Sequence, residues 1–259
     1  MAVLDMPAKQ KKFRAQYKEK IARWYSGWGH LLSIFIPGLL VVGFCVSEIE
    51  SLTIFEFLVA IPLLIFYNFC EWWLHKNAMH RPIKGLGGIL LPVFKRHTHQ
   101  HHQYFSSIRM SYDSNKEWRI VLFPPYALIL FMIMTLPGAI ALGLLTTTNV
   151  GFLVMMLTPA YYLNYEVFHL CCHVKENWFV KYCPLVNTIR RHHAAHHSLP
   201  IMMERNMNLT YPLADWYMGT SDLDRGLIGH IFNGYNTKYV KGEYLSDQGS
   251  ELDQASVSV

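Results

Sequence analysis

The stretch IVLFPPYALILFMIMTLPGAIALGLL, residues Ile120–Leu145, carries no charged side chain across its 26 residues. A helix of roughly 20 mostly apolar residues crosses the hydrocarbon of a bilayer, so this stretch predicts a membrane span. Beyond the short Thr146–Asn149 link, Val150–Leu170 predicts a return crossing, with Asn164 and Glu166 close to its C-terminal end. Two more apolar runs lie upstream: Trp28–Val46, interrupted at Pro37-Gly38, and Thr53–Leu74, with Glu56 near its start and Glu71 near its end. The expected architecture is all-α: a multi-pass membrane protein with four transmembrane helices in two hairpins. Composition agrees, since 52% of residues are hydrophobic and only 16% are charged, which excludes an ordinary soluble domain. Five cysteines without a CxxC pair argue against a disulfide framework.

Basic residues orient the spans. Seven Lys and Arg precede the first run, eight lie between the second and third, and eight follow the fourth, which accounts for all 23. Neither short link, Ser47–Ser51 or Thr146–Asn149, holds one. The positive-inside bias therefore places both termini and the middle segment on the cytosolic side. Residues 1–27 read as a basic amphipathic helix at the membrane surface, because Phe13, Tyr17, Ile21, Trp24 and Tyr25 recur at helical spacing among lysines. Residues 28–245 read as one membrane-embedded domain carrying a cytosolic helical cap, and 246–259 as a flexible polar tail.

Twelve of the fourteen histidines fall in four short windows: His75 to His80, His97 to His102, His169 to His173, and His192 to His197. In the expected topology all four windows reach the same membrane face. Neutral imidazole is a common ligand for iron, copper and zinc. Residues three and four apart share a helical face, which pairs His169 with His173, groups His193, His196 and His197, and aligns His97 with His101, His102 standing beside them. His75 and His80 are five apart and need a helix end or a twist between them. The sum is ten candidate ligands: His75, His80, His97, His101, His102, His169, His173, His193, His196 and His197. Four-coordinate zinc would use at most four of them, whereas ten fit two metal ions with five nitrogens each. His99 and His192 fall on other faces. Glu71 and Glu166 lie one turn before His75 and His169, where carboxylates could offset the metal charge and hold the rings from behind.

The four windows, written HxxxxH, an HH-containing box, HxxxH and HxxHH, resemble the fatty acid hydroxylase/sterol desaturase superfamily of integral-membrane di-iron oxygenases. Asn206 and the run Tyr211 to Thr220 are similar to that family's closing Asn…Pro-x-x-Asp-x-x-x-Gly-Thr signature, through Pro212, Asp215, Gly219 and Thr220. The resemblance implies two iron ions (zinc being an alternative occupant in a purified preparation), O2, and a C–H bond in a membrane lipid as target. It also implies that Asn206 and Asp215 support the centre. The second box departs from the family's usual HxxHH, which leaves His97 and His99 as rival ligands. No His-Pro-Gly-Gly haem module is present, so electrons would come from a separate protein, a cytochrome b5 or ferredoxin with its reductase. Hydroxylation of a fatty acyl or related chain is the expected reaction, with desaturation or sterol and carotenoid oxidation as the alternative within the superfamily. The non-enzymatic alternative is a metal transporter, which would place its ligands near the bilayer midplane. No nucleic-acid partner is expected. The expected location is a bacterial inner membrane or the endoplasmic reticulum.

Overall fold

The computed structural model describes residues 6–85, 88 and 90–244, so the expected polar tail lies outside the described residues. Helix α1 spans Ala8–Glu19. Helix α2, Gly27–Glu48, opens at Ser26, whose hydroxyl accepts the Gly29 N–H at 3.2 Å. Thr53 and Glu56 cap each other's backbone at the start of α3, Ile54–Leu58, and α4 follows over Ala60–Leu74. A π-turn over His75–Met79 extends α4. The middle segment then holds α5 (Leu91–Arg96), a second π-turn over His97–His101, α6 (His102–Tyr104), a short 3-10 turn at Asn115–Glu117, and α7 (Trp118–Val121). Helices α8 (Tyr126–Leu145) and α9 (Thr148–His173) form a hairpin, and Thr147 caps the second of them. The cap is completed by α10 (Trp178–Tyr182), α11 (Pro184–His196), α12 (Leu213–Tyr217) and α13 (Leu227–Ile231). The described residues are helical, with isolated bridges and no extended sheet.

Helix α9 is the axis of the molecule, packed against α2, α4, α8 and α11. Close approach of α8 and α9 depends on glycine at Gly151: a Cβ there would lie 3.0 Å from the Ala139 carbonyl and 3.2 Å from the Gly143 Cα. The two short links meet at the opposite end from the histidines. Glu56 accepts the Thr147 hydroxyl at 2.5 Å, and the Asn149 side chain bonds both the N–H and the carbonyl of Glu50.

Three helical stretches among the described residues are long and apolar enough to cross a membrane: Gly27–Glu48, Ile54–Met79 and Asn115–Leu145. Their outer faces expose a belt of large side chains, including Leu40, Phe44, Ile61, Ile129 and Ile133, which water would penalise and lipid tails accept. The fourth expected span, in α9, is less uniformly apolar and mostly enclosed by its neighbours. Two expectations need correction. Helix α2 passes through Pro37 without ending, and Gly38 beside it gives Leu163 room against the backbone. The stretch that begins at Ile120 is not one helix: α7 ends at Val121, Leu122 is extended, and α8 starts only after Pro124-Pro125. Tandem prolines remove two backbone donors and disfavour the helical conformation in the residue before them.

The apolar residues of α1 meet protein. Phe13 and Tyr17 pack against the cluster of Tyr104, Phe105, Ile120 and Val121. Buried Arg14 bonds Asp113 at 3.1 Å and Glu117 at 3.2 Å, while Lys9, Lys11 and Lys12 stay exposed.

Candidate metal centre

Both π-turns begin on a histidine, and this sets the ring directions. In the first, the His80 N–H donates to the His75 carbonyl at 3.2 Å, an i+5 bond that brings two histidines five apart onto one side. The second relates His97 to His102 in the same way. Ligand atoms of His75, His80, His97, His102 and His196 accordingly lie within 4.8 Å of one another. A second group, His101, His173, His193 and His197, meets the same criterion. His169 stands beside it, with its Nε2 3.3 Å from that of His101. All ten expected residues therefore converge, five around each point. His97 and His101 do align, their rings stacked 5.2 Å apart, but their ligand atoms fall in different groups, and the expected set of His193, His196 and His197 is likewise divided. The π-turn sends His97 and His101 to different groups. In α11 the i,i+4 pair His193 and His197 faces one group, while His196 faces the other.

His99 is exposed and packs edge-on against Phe94, which leaves His97 as the box member at the centre. His192 is buried but turned away, its Nε2 3.0 Å from Asp215. His30 bonds Tyr25 and the Phe123 carbonyl, far from either group in role.

The electrostatic state of the rings follows from their partners. Nδ1 of His75, His101, His173, His196 and His197 faces a backbone carbonyl, of Met207, Ile120, Met110, Arg205 and Phe105 in turn, at 2.5–3.1 Å. A carbonyl only accepts, so each of these nitrogens carries the proton and, in a neutral ring, Nε2 keeps a bare lone pair. Burial, with the neighbouring rings adding to it, holds His97, His101, His102, His193, His196 and His197 well below the usual imidazole range, and His80 at about 2. The rings are thus neutral at physiological pH. His101 and His197 then set two lone pairs 3.2 Å apart with no proton between them. The other Nε2 contacts are similarly short, from 2.8 Å for His75 and His97 to 3.3 Å for His101 and His169. Such a donor set repels itself without a cation at each focus and suits a metal that takes imidazole nitrogen.

Behind the rings, acidic side chains act through the backbone, which corrects the expectation that Glu71 and Glu166 hold ring N–H groups. The His75 Nδ1–H is taken by the Met207 carbonyl, and the His169 Nδ1 has no hydrogen-bond partner among the described residues. Glu71 instead accepts the backbone N–H of Leu209 and of Thr210 (the latter at 3.1 Å), the Thr210 hydroxyl at 2.6 Å and the Tyr161 hydroxyl at 2.6 Å. This fixes the loop whose Met207 carbonyl orients His75. Glu166 accepts the Phe123 N–H at 3.1 Å, at the proline break before α8. Asp215 accepts from His192, the Asn208 N–H at 2.7 Å and the Thr220 hydroxyl at 2.6 Å. Burial alone would raise its carboxyl, but these bonds outweigh burial and hold it below the usual range. Asn206, in left-handed backbone at φ 59°, bonds the His192 carbonyl and Asp222. The buried Arg191–Asp222 pair, at 2.5–2.7 Å, anchors α11 to the same loop. Sequence reading missed Tyr161, Thr210, Arg191 and Asp222. The only signal for the last two was charge in otherwise buried surroundings.

A cavity of about 460 Å³ lies among α4, α8 and α9. It runs from Leu63, Leu142 and Val154 to Glu71, His75 and Met79, with nearly all of its wall apolar. The interval from Leu63 to His75 corresponds to about 18 Å of helix. Its volume falls within the usual range for ligand pockets, roughly 300–1,000 Å³.

A family model described as fatty acid hydroxylase matches residues 60–220. No curated protein and no solved structure matches the chain.

Proposed function

The chain belongs to the fatty acid hydroxylase family, and from that premise we propose that it is an O2-dependent monooxygenase that hydroxylates a C–H bond in the hydrocarbon chain of a membrane lipid. The observation that carries the proposal is the apolar cavity ending at His75, beside two foci of neutral imidazole nitrogen. We assign His75, His80, His97, His102 and His196 to one metal ion, and His101, His169, His173, His193 and His197 to the other. Two irons held by these residues would supply the O2 activation and hydrogen abstraction that no side chain of this protein can perform.

The chain's own residues do the rest. Backbone carbonyls fix the tautomer of five rings, so that Nε2 is the ligand atom. Buried apolar walls exclude water and hold an alkyl chain in line with His75. Glu71, Asp215 and Asn206 keep the 206–222 loop against α4 and α11.

Four spans with both termini cytosolic complete the proposal, α9 serving as the fourth. The run of apolar helices and the one-sided distribution of Lys and Arg support this topology. Residues 28–245 then act as one membrane-embedded unit, and electrons arrive from a separate redox protein on the cytosolic face.

Turnover under 18O2 with a reductase system and membrane lipid tests the reading. Product heavier by one labelled oxygen is expected. Product lighter by two hydrogens, with the label only in water, would replace hydroxylation by desaturation.

A further inference from the structure

The polar groups in the wall of the substrate cavity are almost all occupied by the protein. Tyr67 bonds the Val154 carbonyl and Thr158, and the Thr135 hydroxyl donates to the Phe131 carbonyl. Tyr161 and Glu71 bond each other and Thr210. Two phenols in the wall remain, both 6% exposed. Tyr162 faces the Glu166 carboxylate outside normal hydrogen-bond geometry. Tyr165 has no hydrogen-bond partner among the described residues. A buried hydroxyl without an acceptor costs free energy, and native proteins rarely leave one so unless something else bonds it.

The position of Tyr165 gives its unpaired hydroxyl a use. It is four residues before His169 on α9, and its ring centroid lies 5.7 Å from that of His169. It shares the wall with His75 and Met79, at the histidine end of the cavity, whereas the far end at Leu63, Leu142 and Val154 offers only hydrocarbon. A wholly hydrocarbon ligand would leave this phenol unpaired.

We propose that Tyr165 is a substrate-binding residue whose hydroxyl donates a hydrogen bond to an oxygen of the lipid, a hydroxyl or carbonyl at the polar end of a single alkyl chain. The polar end therefore sits beside the histidines, the alkyl chain runs away from them along the cavity, and the C–H bond oxidised lies within a few bonds of that oxygen. The inference rests on the oxygenase reading for the identity of the site, but the binding it describes needs no turnover.

The test uses the full-length protein in nanodiscs, with hexadecane, 1-hexadecanol and hexadecanamide as probes and Tyr165→Phe as the variant. The thermal midpoint is measured with each probe, and the dissociation constant is taken from its concentration dependence. Wild type should bind the alcohol or the amide about five- to tenfold more tightly than the alkane, the margin one hydrogen bond provides. Whichever of the two oxygens gives the larger margin identifies the acceptor. Tyr165→Phe should erase the margin while leaving the probe-free midpoint unchanged or higher, since no protein hydrogen bond is lost. Under turnover, the variant should spread oxidation over carbons farther along the chain. Equal binding of alkane and alcohol by wild type, or a margin that survives in Tyr165→Phe, overturns the proposal. Either result leaves the oxygenase reading intact, because that stands on the 18O2 experiment.

Discussion

Replacing Glu71 by Ala removes the acceptor of four buried donors, and the consequence should reach the metal centre through one carbonyl. The Tyr161 and Thr210 hydroxyls lie 2.7 Å apart and can bond each other once the carboxylate is gone. The backbone N–H groups of Leu209 and Thr210 have no such alternative. Each buried donor left unpaired costs about 1–3 kcal/mol, so the substitution should destabilise by about 2–6 kcal/mol. For a chain of this size that lowers the thermal midpoint by about 10 °C. The 207–210 segment then loses its tether to α4, the Met207 carbonyl no longer fixes the His75 tautomer, and one of five nitrogens leaves the first focus. Glu71→Gln separates the two effects, because its carbonyl oxygen still accepts both N–H groups while its amide donates to the hydroxyls. The assay pairs thermal unfolding in nanodiscs with metal counting by mass spectrometry. Alanine should lower both the midpoint and the metal content, the metal toward one ion per chain, and glutamine should keep both near wild type. An alanine variant that retains two ions and unfolds within 2 °C of wild type would refute the idea that Glu71 acts through this loop.

Three other outcomes follow from the geometry. His99→Ala should leave metal content and turnover near wild type, since its ring rests on Phe94 at the surface, whereas His101→Ala should abolish turnover and lower the metal count; loss of metal in the His99 variant would reopen the second box. Single cysteines at Glu50 and Thr146, in an otherwise cysteine-free chain, should be labelled by an impermeant maleimide only from the side opposite the termini, and labelling from the cytosol would sink the four-span topology. The Asp113 carboxyl is raised by partial burial but lowered more by Lys18, Arg14 and Arg109, to about 2 from an ordinary 3.8. A depressed carboxyl stabilises fully above the ordinary value, so the docking of α1 should be independent of pH from 5 to 8 and weaken as pH falls from about 4 toward 2. Proteolysis of α1 across that window checks this, and release beginning near pH 6 would point to another group.

What the sequence disclosed and what it withheld divide along a physical line. Period and hydropathy are local properties, so the long helices, the all-α class and the four histidine windows could be read directly from the residues. Which ring faces which neighbour is not local. An α-helical phase ties His97 to His101, yet a single wider turn sends them to different foci and joins His97 to His102 instead. Nothing in the composition of His97-Thr98-His99-Gln100-His101 demands that turn, and it forms because ligands from α4 and α11 must meet it. The spacing of five in His75 and His80 was the one visible hint, and the same spacing recurs between His97 and His102. A pair of repeated fives is therefore a better guide to ring grouping here than the commoner fours.

The carbonyl acceptors were illegible for a related reason. Every residue has a carbonyl, so Met110, Ile120, Arg205 and Met207 give no side-chain signal for the task they perform. Their use has a mechanical consequence that carboxylates could not provide. A carboxylate behind each ring would add negative charge to a buried region and need its own partners, whereas a carbonyl fixes the tautomer and stays neutral. The acidic residues are kept one step back, where Glu71, Asp215 and Asp222 bind backbone donors or the Arg191 guanidinium. The orientation of five rings in this centre is thus set by backbone position, and the backbone around the first focus by a few buried carboxylates. A substitution that never touches a histidine but removes these acceptors, such as Glu71→Ala or Asp215→Ala, should therefore change metal binding as surely as loss of a ligand.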